Sequence, residues 1–367
     1  MKKSTANRRP ARLVAFMMIA TILLCIIAFS AGGWQSMTNA QKGDESDFSD
    51  NIYANNNIII PQENITQQIT KYYNYLTGAE IEKDKLLLRK TAFVMSTKTP
   101  LFGISAADIV IEMPTESYEN RLLVYTDSIN TVGKIGSLAP TRSYISSMLA
   151  SFGGLLVANG NDDTIKKDSV ILDGKFMDLS KLTEYSYKEK NDCVYTNNDL
   201  IKSGISNEGF ASHESSVPTV PYIISTDEKY ATSGDVSAQN IHLVFSEGEK
   251  STLSYSTEKG CYTFFKNEKA LTDILYNTEL TYKNVFVLFA DSVTYEKEDK
   301  TELVMNTASG GRGYYARDGV AEEITWTCDA SGKMTFKNRE GAILTVGSGN
   351  SYIGFMKSSQ IDNFSIK

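Results

Sequence analysis

The residues with most chemical potential lie in "ADIVIEMPTESYENRLLVYTD", Ala107 to Asp127. Asp108, Glu112 and Glu116 precede Arg121 there. Two carboxylates flanking a cleft can cleave a glycosidic bond, provided they stand roughly 5–9.5 Å apart. On an extended strand Glu112 and Glu116 would be about 13 Å apart, at roughly 3.3 Å per residue. Only a turn at Pro114 brings them closer. The plainer reading is a strand, a turn and a returning strand, with one acid paired to Arg121. Arg142, in "KIGSLAPTRSYI", supplies a second cation. Its place is expected in the first turn of a helix, where a positive charge opposes the helix dipole at a cost of about 0.3–1 kcal/mol. A carboxylate such as Glu112 or Glu116 would offset that cost. An anion docked at the helix N-terminus would do the same, and simple exposure is the third reading. Asp108, Glu112, Glu116, Arg121 and Arg142 thus form a candidate charged or anion-binding cluster, with no catalytic role assigned.

Secondary candidates are Asn159, Asp162 and Asp163 in "NGNDD" and Asp192 in "NDC". They are few and scattered for a cation site, and solvated loop acids are the plainer reading. "SGGRGYYARDG" lacks the GK[ST] of a phosphate loop and reads as a hairpin. His213 in "ASHES" has no serine-nucleophile elbow nearby. With two histidines and no CxxC, a Cys/His zinc site is not expected, nor is any cofactor. Cys261 and Cys328 could bridge in an exported chain, or remain as free buried thiols.

The elements that must position these residues follow from pattern. "KTAFVMST", "ADIVIEM", "RLLVYTD", "KIGSL" and "LLVANG" read as strands. "APTRSYISSMLASFGG" carries apolar residues at helical spacing and ends at Gly153-Gly154. Strand, helix and strand suggest a βαβ unit with parallel strands. "ENITQQITKYYNYLTG" reads as a short helix ending near Gly78. Beyond Ala238, short runs such as "IHLVFSE", "NVFVLFAD" and "YIGFMK" with polar breaks predict a β-rich domain.

The 367 residues are 41% hydrophobic and 22% charged, with net charge −7. Five basic residues (Lys2, Lys3, Arg8, Arg9 and Arg12) lie in the first twelve positions, leaving 32 basic against 44 acidic residues elsewhere, a balance of −12. Such an acidic body argues against nucleic acid and anionic lipid surfaces as partners. The basic start leads into an uncharged run, Leu13 to Ala31, long enough at about 1.5 Å per residue to span roughly 30 Å of hydrocarbon. A retained anchor with the bulk outside is expected; cleavage after Ala28-x-Ser30 and secretion is the alternative.

The fold class expected is therefore α+β. An N-terminal α/β domain with a βαβ unit precedes a β-rich C-terminal domain, behind a single N-terminal transmembrane helix. The divisions are a basic cytoplasmic end (1–12), a transmembrane or signal segment (13–31), a flexible tether (32–71), the α/β domain (72–224), a linker (225–239) and the β-rich domain (240–367).

"NYLTGAEI", "PLFGISAADIVIEMPTESYENRLLVYTD", "KIGSLAPTRSYI" and "NDCVYTNNDL" together resemble the YerB-like lipoproteins, a two-domain bacterial envelope family (DUF 3048). "NVFVLF", "GGRGYYARDGVAEEITW" and "GSGNSYIGFM" resemble its second domain. The resemblance implies that Gly103, Asp108, Glu112, Glu116, Arg121, Gly136 and Arg142 match family positions. Departures are Ala139 for an arginine, Asn191-Asp192-Cys193 for a PHN triplet and Ala158 for a histidine. A lipid-bearing cysteine gives way to the apolar segment. Chemistry that relies on those histidines is not expected here. The reading that results is a membrane-anchored, extracytoplasmic and non-enzymatic binding or scaffold module, partnered by the membrane and a cell-wall or envelope protein. The alternative is an enzyme or binder acting on a phosphate-bearing envelope substrate, with Arg121 and Arg142 as the clamp.

Overall fold

The computed structural model describes residues 57–59, 71–116, 119–127, 133–161, 172–297 and 300–367. All belong to one compact unit, Ala54–Lys367. Its framework is β1 (Thr91–Ser96), β2 (Ile109–Pro114), β3 (Asn120–Thr126), β4 (Ile135–Leu138), β5 (Leu155–Ala158), β6 (Asn240–Ser246), β7 (Glu249–Ser256), β8 (Cys261–Lys266), β9 (Asn284–Ala290), β10 (Gly311–Arg317), β11 (Val320–Cys328) and β12 (Ser351–Lys357). The helices used below are α1 (Ser143–Ser146), α2 (Leu149–Phe152) and α3 (Asn198–Asn207).

One fourteen-stranded sheet contains β4-β1-β3-β2-β12-β9-β10-β11 in that order. Its centre is a parallel pairing of β2 with β12, Ile109 opposite Ser351 and Glu112 opposite Gly354. The two halves of the chain thus share one sheet. Every residue of β2, β3 and β9 is buried. That accounts for runs such as "IVIEM" and "NVFVLFA", which show no polar alternation because both faces are covered. On one face Val110, Val124, Val287 and Tyr352 meet Leu243, Leu253 and Phe264 of a six-stranded sheet that includes β6, β7 and β8. On the other, Ile111, Leu123, Phe286 and Ile353 meet Tyr144, Ile145, Met148 and Phe152 of the α1–α2 segment, together with Tyr222.

The α+β expectation is corrected: the described chain is mostly β, with few and short helices. The longest, α3, has 10 residues, capped by the Asn197 side chain accepting from the Leu200 amide at 2.9 Å. No described helix is long and apolar enough to cross a membrane, and Leu13–Ala31 lies outside the described residues. The βαβ unit is also corrected. Strand β5 pairs with β1 in parallel, but β4 pairs with β1 antiparallel, so β4 and β5 run in opposite senses. The single helix expected between them is two of four residues each. Serine hydroxyls divide it. Ser147 Oγ donates to the Tyr144 carbonyl at 2.8 Å and Ser146 Oγ to the Arg142 carbonyl at 3.1 Å, in competition with the helix ladder. The helix expected to end at Gly78 is replaced in its described part by Tyr72–Tyr73, a strand paired with Glu80–Ile81 through a turn closed by Gly78 N–H to the Asn74 carbonyl at 2.7 Å.

The hairpin reading of "SGGRGYYARDG" holds. Strands β10 and β11 pair from Gly311–Trp326 to Arg317–Val320. Asp318 (φ 53) and Gly319 (φ 80) close the turn in left-handed conformations. Cys193, Cys261 and Cys328 are free thiols.

Gly354 sits at a close contact between the two sheets. A Cβ there would stand 2.6 Å from Leu243 Cδ2 and 3.0 Å from the Tyr352 hydroxyl. Gly354→Ala should therefore destabilise the protein by about 1–3 kcal/mol, the usual cost of overpacking a core. Urea unfolding checks this, and an unchanged midpoint would refute the close contact.

Candidate functional site

The stretch from Asp108 to Arg121 is a strand, a turn and a returning strand. Beyond Pro114 the chain reverses, held by the Thr115 amide donating to the Glu119 carbonyl at 3.2 Å, and returns along β3, with Met113 opposite Arg121. Glu112 follows Val110 in facing the six-stranded sheet, whereas Met113 and its partner Arg121 lie on the opposite face. This geometry separates Glu112 from the arginines that the sequence offers as partners.

Glu112 is fully buried. Its Oε1 accepts from the Lys266 ammonium in a short contact and from Asn120 Nδ2 at 2.7 Å. Its Oε2 accepts from Ser251 Oγ at 2.7 Å and from the Tyr352 hydroxyl. Lys266 also pairs with Glu249 at 2.6 Å. Burial pushes the Glu112 carboxyl up, but the Lys266 charge and its hydrogen bond, with those of Tyr352 and Asn120, outweigh it and hold the pKa below its usual value. A carboxylate so held is a poor proton donor, and the acid-pair reading falls with it.

Glu116, in the turn, meets Arg142. The guanidinium Nε lies 3.2 Å from both carboxylate oxygens, and Nη2 makes a short contact with Oε1. Arg142 Nη1 also donates to the Thr141 carbonyl at 3.1 Å. The pair is largely buried, at 17% and 18% side-chain exposure. Tyr144 brings the two together, since its hydroxyl donates to the Pro114 carbonyl at 2.8 Å. Arg142 is the residue before α1, and a helix of four residues offers little dipole to an anion. Arg121 pairs with Glu119 at 2.7 Å. Glu119 also accepts from Ser96 Oγ. Burial pushes Glu116 and Glu119 up, and their hydrogen bonds and cations bring both below the usual carboxylate value.

Asp108 is apart from these. It receives Asn74 Nδ2 at 3.2 Å and stands 3.7 Å from Lys90, whose ammonium is closer to Asp127, at 3.0 Å. Burial pushes its pKa up to about 6, against the pull of Lys90 and with a further push from Asp127. Asn159 follows β5, its amide donating to the Ala139 carbonyl at 3.1 Å. Asp162 and Asp163 lie outside the described residues, and Asp192 is exposed at φ 58 in a turn. Among the described residues no group of three His, Cys, Asp or Glu could hold a metal ion.

A cavity of about 150 Å³ opens beside the cluster. Glu116 and Asn120 line it from one half of the chain, and Phe245, Leu303, Lys357 and Gln360 from the other. Lys266, Glu249, Ser251 and Tyr352 were not among the residues picked from the sequence. One signal was there: Tyr262, Phe264 and Lys266 share a face of β8, as Glu249, Ser251 and Leu253 do of β7. A lysine and a glutamate on the apolar faces of paired strands are candidates for each other.

Models of the N-terminal and C-terminal domains of DUF3048, a protein of unknown function, match residues 76–211 and 241–353. The chain belongs to the DUF3048 family. The crystal structure of the YerB protein from Bacillus subtilis is similar over 81% of this chain and 100% of that one, with a TM-score of 0.69 and 20% identity. The likeness is one of fold. Curated proteins gave no match. Within this member of DUF3048 Glu116 and Arg142 form one ion pair, Glu119 and Arg121 another, and Glu112 belongs to the buried network.

Two measurements check these electrostatics. Lys266→Met leaves Glu112 and Glu249 buried without their cation and should cost about 3–5 kcal/mol at pH 7.5. In the parent, stability from Glu112 is complete above its unfolded pKa and is lost as pH falls through the lower folded value. In the variant the carboxyl instead gains from protonation, so the gap to the parent should narrow between pH 7.5 and 5 in urea melts. Asp108 has the opposite sign. Its contribution is present below the unfolded pKa of 3.8 and lost as pH rises through about 6. Asp108→Asn should therefore be the more stable protein at pH 7.5, by on the order of 1–3 kcal/mol, and the advantage should vanish near pH 4.

Proposed function

We propose that this DUF3048 protein is a membrane-held, extracytoplasmic binding module of the cell envelope, with no catalytic activity of its own. One observation carries the reading. The cations that would have to clamp an anionic substrate are spent on the chain's own carboxylates: Arg142 on Glu116, Arg121 on Glu119, and Lys266 on Glu112 and Glu249. A substrate phosphate would have to displace Glu116 from a largely buried pair. The cavity beside that pair supports a binding role, since residues of both halves of the chain line it. At about 150 Å³ it accepts one side chain or a small fragment of a larger partner. A cell-wall or envelope protein is the partner proposed, and the acidic balance disfavours nucleic acid. The apolar segment Leu13–Ala31 would hold the chain at the membrane; release after cleavage is the alternative.

The second reading is an enzyme or binder for a phosphate-bearing envelope substrate. It needs Arg142 to leave Glu116. Thermal melts in inorganic phosphate or a nucleoside diphosphate separate the two. The binding module should show no shift in melting temperature in the parent. A rise of several degrees that Arg142→Ala abolishes, in a variant that still melts cooperatively, would favour the enzyme. Crosslinking in intact cells should capture discrete envelope partners, and their complete absence would count against the module.

A further inference from the structure

Short strands Thr272–Asp273 and Thr278–Glu279 pair with Asp273 opposite Thr278, leaving Ile274, Leu275, Tyr276 and Asn277 as their connection. Turns of this kind favour Gly, Asn, Asp and Pro. Only Asn277, at φ 51, follows that chemistry. Ile274, Leu275 and Tyr276 are 52%, 38% and 46% exposed. Single exposed apolar side chains are ordinary, but three in succession on one tip call for an explanation.

The tip is held rigidly. Asp273 is fully buried, and its carboxylate accepts from the Gly103 amide at 3.1 Å, the Ser105 amide at 2.9 Å, the Ser105 hydroxyl at 2.7 Å and the Leu275 amide at 2.9 Å. The Ile274 amide donates to the Leu101 carbonyl at 2.9 Å. The next residue, Phe102, meets Tyr195 edge-on at 5.6 Å, and the Lys134 ammonium lies 3.9 Å and 4.0 Å from these two rings. A docked tip of this kind has already lost its conformational freedom, so burying it costs little further entropy.

We propose that the Ile274–Leu275–Tyr276 tip inserts into the outer leaflet of the membrane that holds the chain. The proposal rests on the reading that Leu13–Ala31 keeps the protein at a bilayer. Only the 25 residues 32–56 separate Ala31 from Asn57, and Ile58–Ile59 already pair with Ile224 and Ser225 of the body. Even fully extended they span at most about 90 Å, so the body would stay beside the lipid at high effective concentration. Three half-exposed side chains would bind a free protein to lipid only weakly; with the tether they suffice to orient the body. Aliphatic side chains at the apex, with a tyrosine beside them and aromatic rings and a lysine at the base, match the layering of a bilayer interface. The acidic body gives no attraction to anionic headgroups, so insertion is apolar and insensitive to salt.

The test uses the full chain reconstituted into phosphatidylcholine vesicles, with and without brominated acyl chains. Leu275→Trp should add an emission component that is blue-shifted and quenched by the brominated lipid. The parent supplies the background from Trp34 and Trp326. Adding Ile274→Asp and Tyr276→Asp should abolish the component, and raising the salt concentration should not. Solvent-like, unquenched emission from the new indole, in vesicles that carry the chain, would overturn the insertion while leaving the membrane-held reading intact. A chain that fails to float with vesicles would overturn both. Shielding of the indole only when an envelope protein is added would overturn lipid as the occupant.

Discussion

The structure turns on one buried cation. The Lys266 ammonium joins Glu112, from the first half of the chain, to Glu249, from the second. It does so between two sheets whose contacts are otherwise mostly apolar. Hydrophobic burial drives those sheets together, but it is non-directional and tolerates sliding. A charge that must be met by two carboxylates, with Ser251, Tyr352 and Asn120 completing the set, fixes their register. Desolvating three ionised groups is expensive, and a well-packed apolar replacement could be as stable. What the network supplies is specificity. It fits only where β2 lies beside β12 and below β7 and β8.

That constraint shapes the outer cluster. With Glu112 committed inward, the turn after Pro114 carries Glu116 and Glu119 to the rim, where Arg142 and Arg121 neutralise them. Tyr144 fastens the turn to α1 through the Pro114 carbonyl. The rim is thus charge-balanced before any ligand arrives. Lys357 is the lysine contributed to the adjoining cavity by the second half of the chain. Glu112 therefore acts on the join between the halves, whereas the Glu116–Arg142 and Glu119–Arg121 pairs fasten the first half to itself.

Much of this was legible in the sequence, and its limits are physical. The apolar runs located β1, β2, β3 and β9, because a fully buried strand needs no alternation. The Arg142–Glu116 pair was among the alternatives, since a cation at a helix start invites a carboxylate. What failed depended on register. Whether Arg121 and Glu112 share a face depends on Met113, not Glu112, standing opposite Arg121, and a shift of one residue reverses the answer. The partners of Glu112 are 139, 154 and 240 positions away in Ser251, Lys266 and Tyr352, beyond the range of any local pattern. The βαβ expectation failed because the spacing of strand, helix and strand says nothing about the direction in which each strand meets β1, and β4 meets it antiparallel while β5 meets it parallel. Serines within "SYISSMLASF" had already weakened the helix.

Asp108 and Glu112 show why burial alone does not identify a site. Four residues apart, they shift in opposite directions. Glu112 has donors at both oxygens and a lysine in contact, so its charged form is favoured despite complete burial. Asp108 has the Asn74 amide, a backbone hydrogen bond from Asp127 and a lysine at 3.7 Å that the Asp127 carboxylate holds more closely, and its Oδ2 is buried without a hydrogen-bond partner. A raised carboxyl pKa can signal a general acid. Here the same value follows from an incomplete donor set and a shared cation. The carboxylate that looks most catalytic by its pKa is the one the fold has solvated least well. The carboxylate that looked most catalytic by its sequence is the one the fold has used as a fastening.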